Sequence, residues 1–185
     1  MHWCRVLMLL ACTPPAAAQT AVSLRVNEYD IQGSTARQLT REMRAKGPSL
    51  PTGHRAYGFS SWTLDWSLEP TVEADRCRVG SARVTALITI TVPRWINTAD
   101  GDQKLRDKWL AFRAALDRHE QGHRQNAVDA GQQLYDALLD LPSAACHELT
   151  QRARELAKQA IDEGHARDSD YDIRTDHGRK EGVRF

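Results

Sequence analysis

No run of apolar residues in this chain approaches the length needed to cross a bilayer, so no membrane span is expected. Charge of one sign is also lacking. Lys and Arg number 25 against 24 Asp and Glu, for a net charge of +1. No basic block of the kind that tracks phosphates occurs, so a nucleic-acid partner is not expected. Internal repeats and low-complexity stretches are absent, which argues against a solenoid or a long linker. Cysteine is scarce, four in 185 residues, and no Cys-x-x-Cys spacing exists. That makes a thiolate zinc cluster improbable on chemical grounds.

The amino terminus looks like an export leader. Arg5 precedes the short apolar core Val6-Leu7-Met8-Leu9-Leu10-Ala11-Cys12, and Pro14-Pro15 and Ala16-Ala17-Ala18 follow. The Ala-x-Ala ending at Ala18 reads as a cleavage signal, giving a signal peptide over 1–18 and a mature chain over 19–185. Leu9-Leu10-Ala11-Cys12 also has the small-residue-then-Cys pattern of a lipoprotein, with Cys12 carrying the lipid. The core ahead of Cys12 is very short for that, so it ranks second. Either route places the protein in the periplasm or outside the cell. Only Cys77 and Cys146 remain after the leader, and an even pair in an exported chain most simply forms one disulfide. Such a bond would close a loop of roughly 70 residues, worth about 4 kcal/mol in the chain-entropy model.

The mature part is long enough for one domain with one core. Val22 to Asp30 reads as a strand. Thr35 to Lys46 reads as a helix with Thr35 and Gln38 as a capping box, stopped by Gly47-Pro48. Residues 48–55 read as a loop. From Tyr57 to Leu68 the period becomes two, with Trp62, Leu64, Trp66 and Leu68 on one face. Val84, Ala86, Ile88, Ile90 and Val92 share a face of a further strand, Cys77 to Val92, so an antiparallel hairpin is expected. Asp102 to Leu141 and Ala144 to Glu163 read as helices, the second ending at Gly164. The polar tail from His165, with its Asp168-Ser169-Asp170-Tyr171-Asp172 run, has the composition of a disordered end.

The chemistry concentrates in Arg118-His119-Glu120-Gln121-Gly122-His123. His119 and His123 are four apart, so on a helix they share a face and can bind one metal ion. Leu105, Trp109, Phe112 and Leu116 run into them at helical steps, so the two imidazoles continue a buried stripe. Two buried His one turn apart beside Glu120 are hard to satisfy without a metal. Zinc fits this donor set, being redox-inert and accepting two His plus a third N or O ligand. Glu120 lies beside the metal rather than on it, the place of a general base that takes a proton from an activated water attacking a carbonyl carbon.

Three places compete for the third ligand. Asp129 lies six beyond His123, where one large class of zinc peptidases places it, but that class needs a chain break at the position of Asn126, and the helical pattern here runs on. Glu148 and Glu155 lie on the following helix, as when a Glu completes the site. His177, followed by Gly178 in a polar tail, has no core role to explain it and would reach the metal if the tail folds back. Tyr171 could then bring a phenol to a developing oxyanion.

A resemblance bears on this choice. Tyr29-Asp30-Ile31-Gln32-Gly33, the strand Trp62 to Trp66, Cys77, Pro93-Arg94-Trp95, Trp109 with Phe112, the His119–His123 motif, Cys146, and Tyr171-Asp172 with Thr175, His177 and Gly178 are similar to a bacterial family of unknown function. Its members are described as predicted secreted zinc-dependent proteases. The resemblance implies that the tail is structured, favours His177 as third ligand, and supports pairing of Cys77 with Cys146.

The expectation is an α+β, zincin-like domain: a small antiparallel sheet packed on a long active-site helix, with a second helix beside it. It would be a zinc metallopeptidase acting on a peptide or protein substrate, with His119, His123 and His177 as ligands, Glu120 as base and Tyr171 as oxyanion donor. The alternatives are a non-catalytic metal-binding envelope protein and a zinc amidase acting on cell-wall peptide. The sequence carries no information on oligomeric state.

Overall fold

The structure is a computed structural model that describes residues 20–50 and 53–185. The leader, with its Cys12 and its Ala18 cleavage signal, lies outside the described residues. The three strands are β1 (Ala21–Ile31), β2 (Phe59–Glu73) and β3 (Arg76–Trp95). The principal helices are α1 (Ala36–Lys46), α2 (Gln103–Leu139) and α3 (Cys146–Thr175).

Helix α1 starts as its sequence dictates. The Thr35 hydroxyl accepts from the Gln38 amide at 3.3 Å, and the Gln38 side chain accepts from the Thr35 amide at 3.1 Å. Strands β2 and β3 form the expected antiparallel hairpin, joined at Ala74-Asp75, with Trp62 opposite Ile88. The sheet as a whole is mixed rather than antiparallel. Its order is β1-β3-β2, and β1 runs parallel to β3 with Leu24 opposite Ile88. The connection through α1 sends β2 antiparallel to β1; the hairpin then reverses the chain, so a β3 inserted beside β1 has to run parallel to it. Trp62, Leu64, Val84, Ala86, Ile88, Ile90 and Val92 bury one face of this sheet, and residues such as Thr63 and Asp65 leave the other in solvent.

The Asp102 carboxylate caps α2 by accepting from the Leu105 amide at 2.7 Å. Leu105, Trp109, Phe112, Leu116, His119 and His123 are all buried along its inner face. Helix α3 does not stop at Gly164 but continues to Thr175. Gly164 is buried because the Trp62 indole lies against it: a Cβ there would stand 2.4 Å from the indole ring. Leu149, Ala153, Ala157 and Ala160 precede it on the same buried stripe. These small side chains let α3 lie close and antiparallel to α2. The tail is therefore ordered, against its composition and as the family resemblance implied.

Helix α3 ends in a turn held by Thr175, whose hydroxyl donates to the Tyr171 carbonyl at 2.8 Å and accepts from the Gly178 amide at 3.2 Å. Asp176, His177 and Gly178 are all left-handed, at φ 51°, 49° and 76°. The chain then folds back onto α2, burying Val183 and setting the Phe185 ring 5.1 Å from that of Phe112. Among the described residues no helix is long and apolar enough to cross a membrane.

The Cys77–Cys146 disulfide is present. Reciprocal hydrogen bonds between Cys77 and Ala144, at 2.8 and 3.0 Å, reinforce it and fasten the start of α3 to β3. Replacing both cysteines with alanine is expected to lower unfolding stability by about 4 kcal/mol, read from urea denaturation; an unchanged midpoint would show that the link contributes nothing.

Candidate metal centre

The antiparallel run of α3 along α2 sets Asp168 and Asp172, one turn apart, against His123 and His119. Asp172 Oδ1 lies 3.2 Å from His119 Nε2 and 3.3 Å from His123 Nε2. These three residues form a group whose ligand atoms lie close enough together to hold a metal ion. Ligands about 2.0–2.1 Å from a tetrahedral zinc stand roughly 3.3 Å apart, so the spacing of Asp172 from each imidazole nitrogen suits such an ion.

The far nitrogen of each ring is also fixed. His119 Nδ1 lies 2.9 Å from Glu181 Oε2, and His123 Nδ1 lies 3.0 Å from Asp168 Oδ1. A proton on each Nδ1 turns the Nε2 lone pair toward Asp172, the tautomer a metal needs. Asp168 is itself oriented by the Trp62 indole N–H and by the Asn126 amide at 2.7 Å, so one carboxylate ties β2, α2 and α3 together. The Tyr171 ring stacks on His119 at 5.0 Å, and its hydroxyl donates to Glu181. Gly122 permits this approach: a Cβ there would meet the Tyr171 ring at 2.4 Å. Glu120 is buried beside the group, and its carboxylate accepts from the Ser60 hydroxyl of β2 at 2.7 Å.

With Asp168 and Glu181 counted beside Asp172, three carboxylates meet two imidazoles, and the titration equilibria respond. Burial lowers the pKa of His123, but hydrogen bonds to Asp168 and Asp172 outweigh it and push the ring up to about 10. His119 is raised in the same way: burial opposes its charge, and Asp172 and Glu181 overcome that. Burial raises Asp172, but its bonds to the two imidazoles bring it well below the usual carboxylate range. The cluster demands positive charge and takes it as protons or as a metal cation. Glu120 goes the other way, raised by burial despite the Ser60 hydrogen bond and the neighbouring rings. That brings it toward the range of an effective base at neutral pH.

His119, Glu120 and His123 come together as expected. His177 is not one of the three grouped ligands; its ring is exposed and reaches the outer oxygen of Asp172 at 3.4 Å. Asp129, Glu148 and Glu155 lie on the exposed sides of their helices, engaged with Gln125, Arg152 and Gln151. Sequence reasoning passed over Asp168, Asp172, Glu181 and Ser60 as functional residues. The first two had a signal: counted on from Gly164, Asp168, Tyr171 or Asp172, and Thr175 keep the helical steps of the buried stripe. Glu181 and Ser60 had none, because their contacts arise only from the folded chain.

A cleft of about 580 Å³ opens onto the group, lined by His119, Glu120, His123, Asp172 and His177 among others. The chain belongs to a bacterial family described as "Bacterial protein of unknown function (DUF922)", which it matches over residues 26–178. No curated protein and no solved structure matches it.

Asp172→Ala is expected to weaken zinc affinity by more than the roughly 10–100-fold typical of losing an outer carboxylate, and Asp168→Asn by about that amount. His177→Ala should change it little; competition with a chromophoric chelator reads all three. Because the His123 ring, raised to about 10, holds its second proton at pH 7.5, zinc binding should release at least about one proton and weaken as pH falls. Calorimetry in buffers of differing ionisation enthalpy measures this, and zero release would contradict it.

Proposed function

We propose that the protein is a zinc-dependent hydrolase that cleaves peptide bonds in the periplasm or outside the cell. One observation carries the reading: two imidazoles and Asp172 converge on one point at the floor of a cleft, each imidazole is locked by its own carboxylate, and a buried glutamate stands beside them. His119, His123 and Asp172 would hold the metal. A zinc ion held there would supply Lewis acidity, lowering the pKa of a coordinated water and polarising a substrate carbonyl.

The chain's own residues do the rest. Glu120, kept in place by Ser60, accepts the proton of the attacking water and returns it to the leaving amine. Asp168 and Glu181 hold the rings in the binding tautomer and stabilise the charge placed on them. Held by these three residues, a zinc ion would keep room for water, as catalysis requires; a purely structural site would use a fourth side chain. His177 lines the cleft beside Asp172 and is the better-placed donor to a developing oxyanion. The Tyr171 hydroxyl, expected in that role, is engaged by Glu181, and we assign Tyr171 to packing His119. The disulfide suits an oxidising compartment, which agrees with export.

The test measures bound metal and hydrolysis of a casein substrate for the wild type and Glu120→Ala. The variant should keep its zinc and lose about 10²–10⁴-fold in kcat/KM. Equal cleavage by both would remove Glu120 from the mechanism, and no cleavage by zinc-loaded wild type would count against peptide hydrolysis.

A further inference from the structure

The walls of the cleft differ in charge from its floor. The only side-chain carboxylates among the lining residues are Glu120 and Asp172, and both stand at the metal group. Four arginines, all exposed, are among the lining residues: Arg44 from α1, Arg55 from the loop before β2, and Arg179 and Arg184 from the segment after α3. In a chain with nearly equal numbers of acidic and basic residues, four arginines from three separate segments facing one cavity is a marked segregation.

Ordinary structural duties do not use up these groups. Arg55 donates to the Gly47 carbonyl and Arg184 to the Arg179 carbonyl. Each such bond takes one of the five N–H donors of a guanidinium. Arg44 also lies in the last turn of α1, where a cation complements the helix dipole without needing a fixed partner. Arg179 meets Asp176 at 3.4 Å in a solvent-exposed contact of the kind that contributes little. Among the described residues no carboxylate lies within ion-pair distance of Arg44, Arg55 or Arg184. A metal on the floor would offset the charge of Asp172, leaving Glu120 as the one side-chain anion facing the four arginines.

We infer that the cleft selects peptides bearing a carboxylate close to the bond that lies over the metal group, and that Arg44, Arg55, Arg179 and Arg184 are the residues that read it. That these peptides are substrates rests on the hydrolase reading, but the selectivity itself is a property of binding. Guanidinium groups suit this recognition because they pair with carboxylates in a planar, two-pronged geometry. A cavity of about 580 Å³ lies within the range of small-ligand sites, so it takes a few residues of extended chain rather than a folded surface. The carboxylate has two sources, an Asp or Glu side chain or the carboxyl end of the peptide.

The experiment uses the full zinc-loaded chain carrying Glu120→Gln, so that binding is read without turnover. Fluorescence anisotropy compares four peptides of one backbone: neutral and capped at both ends, capped with an internal Glu, uncapped at its carboxyl end, and capped with an internal Lys. At least one carboxylate peptide should bind about tenfold more tightly than the neutral one, and the Lys peptide more weakly. The two acidic arms identify the source. The preference should shrink in high salt, collapse in Arg55→Gln/Arg179→Gln, and return in part in Arg55→Lys/Arg179→Lys, which keeps the charge without the fork. Equal binding of all four peptides, or tightest binding of the Lys peptide, would overturn the inference. Displacement of the acidic peptide by an equal concentration of inorganic phosphate would also overturn it, by making the cleft a general anion site. A zinc-loaded wild type that cleaves none of the peptides sinks the hydrolase reading alone and leaves the binding result standing.

Discussion

Two imidazoles buried one turn apart must have every ring nitrogen satisfied, and that requirement organises this molecule. Each ring of His119 and His123 turns one nitrogen to an anchoring carboxylate and the other to Asp172. Left with water excluded and no partners, such nitrogens would each cost on the order of 1–3 kcal/mol. With three carboxylates the deficit becomes an excess of negative charge, and the group is stable only with protons or a cation in it. The same arrangement that satisfies the rings therefore prepares them to ligate.

Several features of the fold serve that packing. The carboxylates come from α3 and from the short segment beyond it, so α3 has to run the full distance along α2 and the chain has to return. Small residues keep the two helices close, Gly122 leaves room for Tyr171, and Gly164 leaves room for Trp62. Gly178 is both left-handed and pressed on His119, with a Cβ there 2.9 Å from the ring. Asp176 and His177 share the left-handed conformation without being glycine, a local cost tolerated where the turn delivers Glu181 to His119. The disulfide holds the other end of α3, so the helix carrying Asp168 and Asp172 is fixed at both ends.

Much of this was legible in the sequence, where the signal was local. The apolar stripe from Leu105 to Leu116 runs straight into His119 and His123, which showed both the helix and the side the imidazoles face. The Thr35–Gln38 capping box and the period-two runs in β2 and β3 are local as well. What was not legible depends on contacts distant in sequence. Nothing in Val22 to Asp30 says that its neighbour is β3 and not β2, so the parallel pairing was missed. Gly164 has the look of a helix stop, because the indole that fills the space above it, that of Trp62, comes from a strand far earlier in the chain. Beyond Gly164 the inward-facing positions are Asp168, Asp172 and Thr175. A stripe of polar residues reads as a solvated tail unless the partner it faces, a pair of imidazoles, is already known. His177 drew attention as a lone histidine in that tail, whereas the carboxylate five residues before it is the group brought to the rings.

X-ray absorption at the zinc edge of the metal-loaded protein reads whether Asp172 joins His119 and His123 around a single ion. Two imidazole nitrogens and one carboxylate oxygen are expected at about 2.0–2.2 Å, with a spectrum unchanged in His177→Ala and stripped of the carboxylate in Asp172→Ala. A first shell of three imidazoles in the wild type, or one that loses a nitrogen when His177 is removed, would contradict it.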